Sequence, residues 1–147
     1  MPSIAKNKRA FFDYEILEKL EAGIVLTGQE VKSVKNGHIS LSGAYVTMRN
    51  NEAWLLNAHI SAYKKAGPLP GYDPTHSRKL LLKKNELNRL IGISQTKGLT
   101  LIPLSVYTAR NHVKIDVGVC RGRKKFDKRE HIKKRETDRM VRSGQWG

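Results

Sequence analysis

Cys120 is the only cysteine in 147 residues. That excludes an internal disulfide framework and fits a reducing compartment. Aromatic residues are sparse, at 7%, and no apolar run approaches the ~18 residues a membrane helix needs. The opening stretch MPSIAKNKRAFFDY has no apolar segment of the length a secretory signal requires, so a cytoplasmic location is expected. Acidic residues are also scarce: 13 against 28 Lys and Arg, for a net charge of +15 and a pI of about 10.2. Such a field draws in polyanions from a distance. An anionic membrane would call for a basic amphipathic helix with a bulky apolar face, and the basic C-terminal segment has too few apolar residues to make one. Nucleic acid is therefore the expected partner.

Signatures of catalysis are missing as well. His38, His59, His76, His112 and His131 are isolated, and there is no H-x-x-x-H, no P-loop and no G-x-S-x-G. Cys120 closes an apolar alternation, where a buried structural thiol is expected. Asp13, Glu15, Glu18 and Glu21 read as exposed strand positions. No enzyme, metal or cofactor is expected. An RNA-modifying or RNA-cleaving enzyme is the rival that a carboxylate cluster in the folded body would favour.

What the chain does carry is period two. Tyr14, Ile16, Leu20, Ala22, Ile24 and Leu26 are apolar at even positions, broken by Glu18. This predicts a long strand or two short ones, with Gly23 as a bulge. At TGQEVKSVKNG the period changes. Thr27 and Glu30 have capping-box spacing, Val31 and Val34 lie three apart, and Gly37 is placed to end a two-turn helix. A hairpin follows: Ala44, Val46 and Met48 share a face, Asn50-Asn51 turns, and Trp54, Leu56 and Ala58 return on that face. KKAGPLPGYDPTH is an exposed loop. A second helix is predicted from about Asn85, with Leu87, Leu90 and Ile91 inward and Gly98 as the stop. In the second hairpin Pro103 shifts the alternation, marking a bulge or an edge. Val113, Ile115, Val117 and Val119 then alternate cleanly. The expectation is a mainly β protein: a small antiparallel barrel of about six strands with two short helices and a basic N-terminal arm over residues 1–10.

Composition breaks at about Arg121, giving a body over 1–120 and a basic C-terminal tail over 121–147. From Arg121 onward there are 11 Lys and Arg against 4 Asp and Glu, so the tail carries +7 and the body +8. Two contact surfaces are expected. Helical pairs such as Glu130 with Lys134 are worth only ~0.2–0.5 kcal/mol each, so the free tail is expected to be disordered and to order on a polyanion. A disordered solubilising tail is the plainer alternative. Phe126 within RKKFDKR suits base stacking. Asp127 adds repulsion that a purely electrostatic tail would omit; its carboxylate can accept from a base or a 2′-hydroxyl. Glu30 is read as a helix cap, with a recognition carboxylate as the functional alternative.

The segments IAKNKRAFFDYEILEKLEAGIVLTGQEVKS, RKLLLKKNEL and GRKKFDKREHIKKRE, in this order along nearly the whole chain, resemble the SsrA-binding (small protein B, SmpB) family. That family partners transfer-messenger RNA (tmRNA) in bacterial trans-translation. The resemblance implies an OB-like antiparallel barrel that holds the tRNA-like domain of that RNA and stands in for a missing anticodon arm. The tail would enter the decoding centre and empty mRNA channel of a stalled ribosome and be helical only when bound. Asn7, Lys8, Arg9, Glu30 and Lys32 fall on matched segments as the tmRNA-binding set. Gly122, Arg123, Lys124, Lys125, Phe126, Asp127, Lys128 and Arg129 fall on the tail motif as the decoding-centre set. Phe12 and Phe126 stand where relatives often carry histidine, and the chain closes on RSGQWG where relatives commonly run on. The implied partners are tmRNA, the ribosome with its small-subunit rRNA and, through the RNA complex, elongation factor Tu, with the protein a monomer. A structural ribosomal protein, or another rRNA-binding protein, is the alternative on composition.

Overall fold

The computed structural model describes residues 3–63 and 70–122. Nine strands and three helices are present among them: β1 (Ala5–Lys6), α1 (Lys8–Asp13), β2 (Tyr14–Ile24), α2 (Gly28–Lys35), β3 (Ile39–Ser40), β4 (Tyr45–Arg49), β5 (Glu52–Leu56), β6 (His59–Ile60), β7 (Arg78–Leu81), α3 (Lys84–Ser94), β8 (Leu99–Ala109) and β9 (His112–Gly122). Strands pair in the order β8-β4-β5-β7-β2-β9, and β9 returns to β8. All pairings are antiparallel. Six strands thus close a ring. β1 adds to the outside of β8, and β3 pairs with β6 as a separate ribbon.

Alternation fills the ring. Val46, Leu55, Leu80, Leu101, Ile115 and Val117 are buried in one core, and α2 and α3 add Val34 and Leu90 to it. Both long hairpins turn on residue pairs with positive φ: Asn50 and Asn51 at 51° and 64°, Arg110 and Asn111 at 51° and 66°. That is the type I′ geometry whose twist matches the strands. α2 begins in the expected capping box. Thr27 Oγ1 accepts from the Glu30 amide at 3.2 Å, and Glu30 Oε1 accepts from the Thr27 amide at 3.1 Å. It ends with Gly37 at φ +82°, Gly37 N–H donating to Val34 O and His38 N–H to Ser33 O, the two bonds of a Schellman motif.

Four local expectations are corrected. In place of the basic arm expected over 1–10, the described residues from 3 onward are structured: Ala5–Lys6 is a strand on β8, and Lys8 opens α1, a third helix beyond the two expected. The bulge in β2 lies between Ile16 and Glu18, not at Gly23, which pairs with both Leu81 and Lys114. In β5 the buried residues are Ala53 and Leu55 rather than Trp54 and Leu56, because Val46 and Met48 face Leu55 and Ala53 across the hairpin. Asn57, at φ 64°, then resets the phase so that Ala58 is buried. The second helix starts at Lys84, where expected, but it ends at Ser94 rather than at Gly98, which at φ +88° belongs to the turn into β8. The bulge at Pro103 is present: the register with β9 shifts between Pro103 and Ser105.

Candidate nucleic-acid interface

α1 has one buried side chain, Ala10, which sits on Ile102, Leu104 and Cys120 outside the ring. This explains why β9 is buried on both faces from Val117 to Cys120. Asn7 fastens the helix. Its Oδ1 accepts from the Ala10 amide at 3.2 Å, and its Nδ2 donates to Pro103 O at 3.0 Å and Leu41 O at 3.3 Å. The Asn7 side chain is therefore turned inward, while Lys8 and Arg9 remain exposed. Arg9 pairs with Asp13 at 3.2 Å. The bond to Leu41 also ties α1 to the segment that leaves α2.

Glu30 is buried, at 2% exposure. Its carboxylate receives the Arg78 guanidinium at 2.7–2.8 Å, His76 Nε2 at 2.9 Å and the Tyr72 hydroxyl at 3.1 Å. Arg78 is itself 1% exposed and also donates to Ala58 O and Pro74 O, both at 2.8 Å, and to the Tyr72 hydroxyl oxygen at 3.3 Å. The Tyr72 hydroxyl also reaches Ile60 O at 2.8 Å. Burial pushes the Glu30 carboxyl upward, but the Thr27 amide, Arg78 and His76 outweigh it and hold the group below its ordinary value. The same burial, with the Glu30 charge beside it, raises the Tyr72 hydroxyl. The Glu30 and Arg78 charges are paired with each other and further hydrogen-bonded, as a buried ion pair requires. This network clamps the 70–77 loop and β7 onto α2. Glu30 thus acts on its surroundings from inside, and the exposed cations of α2 are Lys32 and Lys35; the Lys32 ammonium lies 5.6 Å from the centre of the Tyr63 ring.

The residues that sequence reasoning missed are Tyr72, His76 and Arg78. Nothing in RKLL marks its arginine as interior, since the signal is a partner 48 positions away. Along β2 the carboxylates are dispersed among partners: Glu15 with Arg121 at 3.6 Å, Glu18 with Arg89, and Glu21 with the Tyr107 hydroxyl, which also meets Asp116 at 3.2 Å. Among the described residues no group of three or more His, Cys, Asp or Glu is placed to hold a metal ion. Cys120 is fully buried, and burial pushes its thiol up to about 11. Of the tail set, Gly122 ends β9 opposite Tyr14, while Arg121 is the last pair but one. Arg123, Lys124, Lys125, Phe126, Asp127, Lys128 and Arg129 lie outside the described residues, as does the C-terminal RSGQWG. No helix among the described residues is long and apolar enough to cross a membrane.

A family model for "SmpB protein" matches residues 4–144. An "SsrA-binding protein" of Coprothermobacter proteolyticus is 50% identical over 144 residues, covering 97% of this chain and 95% of the relative. Another, of Trichodesmium erythraeum, is 49% identical over 138 residues, covering 94% and 88%. A solved structure described as "tmRNA-SmpB: a journey to the center of the bacterial ribosome" superposes with a TM-score of 0.68 at 45% identity, over 82% of this chain and 85% of that one. With agreement of this extent in sequence and in fold, the chain belongs to the SmpB family.

Proposed function

We propose that this protein binds the tRNA-like domain of tmRNA and delivers it to stalled ribosomes in trans-translation, with the segment after Gly122 probing the decoding centre and the empty mRNA channel. The observation that carries the reading is family membership over nearly the whole chain, joined to a closed barrel in a chain of net charge +15. Binding and positioning are the whole activity, and no reaction is catalysed. Lys8, Arg9 and Lys32 supply exposed cations to RNA phosphates. Asn7 and Glu30 serve as positioning residues: the first seats α1, and the second holds α2 against the 70–77 loop. Arg123, Lys124, Lys125, Phe126, Asp127, Lys128 and Arg129 are assigned to the decoding centre. An empty channel walled by RNA phosphates admits a cationic segment, whereas bound message excludes it by occupying the space. Stall sensing then needs competition and no chemistry. The protein acts in the cytoplasm as a monomer, and elongation factor Tu joins through the RNA.

The test separates the two surfaces. A chain ending at Gly122 keeps all nine strands, so it is expected to fold and to bind the tRNA-like RNA as the full chain does while failing to support tagging on stalled ribosomes. Tagging at the full-length level by the truncated chain contradicts the role given to the tail. Loss of RNA binding on truncation contradicts the division of labour.

A further inference from the structure

The side chains of Tyr72, His76 and Arg78 all converge on one oxygen of Glu30, Oε2. Arg78 comes from β7, and the other two come from the 70–77 loop. The loop's own hold on Glu30 is narrow. The Tyr72 hydroxyl has one proton and faces two acceptors, and Ile60 O at 2.8 Å is nearer than Glu30 at 3.1 Å. His76 is therefore the loop's donor to Glu30, through Nε2 at 2.9 Å. Its other ring nitrogen, Nδ1, lies 3.0 Å from Ser77 O. Both partners can only accept: a backbone carbonyl has no proton, and the Glu30 carboxyl, held below its ordinary value, is a carboxylate. A neutral imidazole offers one N–H and the imidazolium two. The two contacts are both hydrogen bonds only when the ring carries both protons. The surroundings suit that charge. Glu30 on α2 and Asp73 in the loop are the carboxylates beside the ring, Arg78 on β7 is the cation, and Tyr72 meets the ring edge-on at 6.1 Å between centres. Two negative charges and one positive leave a second positive charge to be supplied. The His76 side chain is 41% exposed, so water reaches it without unfolding.

The loop also reaches the surroundings of Lys32 from two sides. Glu30 precedes Lys32 by two residues on α2. Pro74 O accepts from the Ile60 amide at 3.0 Å, and the chain runs on from Ile60 to Tyr63, whose ring lies beside the Lys32 ammonium. We infer that His76 is a positioning residue that works as an imidazolium: its second proton keeps the 70–77 loop closed on α2 and so holds Lys32 in place for RNA. The consequence for RNA rests on the function proposed above; the proton clamp itself does not. The closed loop binds one proton more than the open loop. Closure is therefore complete on the acid side of the range in which histidine changes charge, about pH 5 to 8, and is lost as pH rises through it.

The experiment is amide hydrogen exchange at Ile60 in the full chain, read by NMR and corrected for the intrinsic rate. It is run at about pH 5.5 and about pH 8.5, on either side of histidine's ordinary midpoint of about 6.5. Wild type is compared with His76→Gln, which is neutral at both, and His76→Arg, which is charged at both. At the lower pH, wild type is expected to be about tenfold better protected than His76→Gln, as a hydrogen bond between charged groups implies. At the higher pH that gap is expected to close, while His76→Arg keeps its protection throughout. Affinity for the tRNA-like RNA, measured at constant salt, is expected to follow the same order. Equal protection of wild type and His76→Gln at the lower pH overturns the clamp. A gap of the same size at both pH values also overturns it, since a purely structural ring would behave so. Protection that changes as expected while RNA affinity does not overturns the link to Lys32. Failure of wild type to bind the RNA at either pH overturns the proposed function, and the exchange data still decide the clamp.

Discussion

Arg78 and Glu30 show how much a single buried residue organises here. Removing one partner of a buried ion pair strands the other charge, at a cost of about 3–5 kcal/mol. Arg78→Ala is therefore expected to lower unfolding stability by that order, as read by urea denaturation. The Glu30 carboxyl is held below its ordinary value of 4.5. The unfolded chain then binds the proton more tightly than the folded one, so the network's contribution is complete above that ordinary value. It is lost as pH falls through the lower folded value. Wild type is expected to lose its advantage over Glu30→Gln as pH drops below about 4.5, measured as the gap between their denaturation midpoints. An unchanged gap would mean the charge contributes nothing. Close packing sets a second residue-scale constraint. A Cβ on Gly118 would lie 2.7 Å from Leu104 Cδ1, so Gly118→Ala is expected to destabilise by about 1–3 kcal/mol through overpacking. Cys120, buried with its thiol raised to about 11, is expected to resist alkylation at neutral pH and to react at the rate of unfolding.

At the scale of elements, α1 depends on Asn7. Asn7→Ala removes a helix cap, worth about 0.5–2 kcal/mol, together with the donors to Leu41 O and Pro103 O. The barrel ring does not include α1, so hydrogen exchange is expected to speed up in Lys8–Asp13 while the core amides of β8 and β9 stay protected. Uniform loss of protection would show that α1 is integral to the barrel. This helix is also the hardest element to read from sequence. KRAFFD buries only Ala10, so no helical stripe exists to detect. Long alternations are legible because each strand buries one face of the ring, as in Val113 to Val119. The face of β5 is not, since AWLL offers apolar residues to both sides and the cross-hairpin register decides between them. The capping box at Thr27 and Glu30 is legible for a local reason, its partners lying three residues apart. The three further partners of Glu30 come from 42 to 48 positions away, and no local pattern carries that information.

For the whole molecule, the net charge of +15 governs affinity. If six to ten phosphates are contacted, raising salt from 50 to 200 mM weakens binding by about 10³–10⁵. Lys8→Ala, Arg9→Ala and Lys32→Ala are each expected to reduce the salt slope by about one. A variant that weakens binding without changing the slope would mark a contact other than a phosphate. Closure of the ring makes the body a rigid mount, and β9 runs within it from His112 to Gly122. The measurement that tests the central claim most directly is purification of this protein from its native cells under mild salt, followed by sequencing of the RNA that accompanies it. One dominant small RNA with a tRNA-like end and a short reading frame is the predicted result. Bulk ribosomal RNA with no such species would contradict the account and favour a resident ribosomal protein.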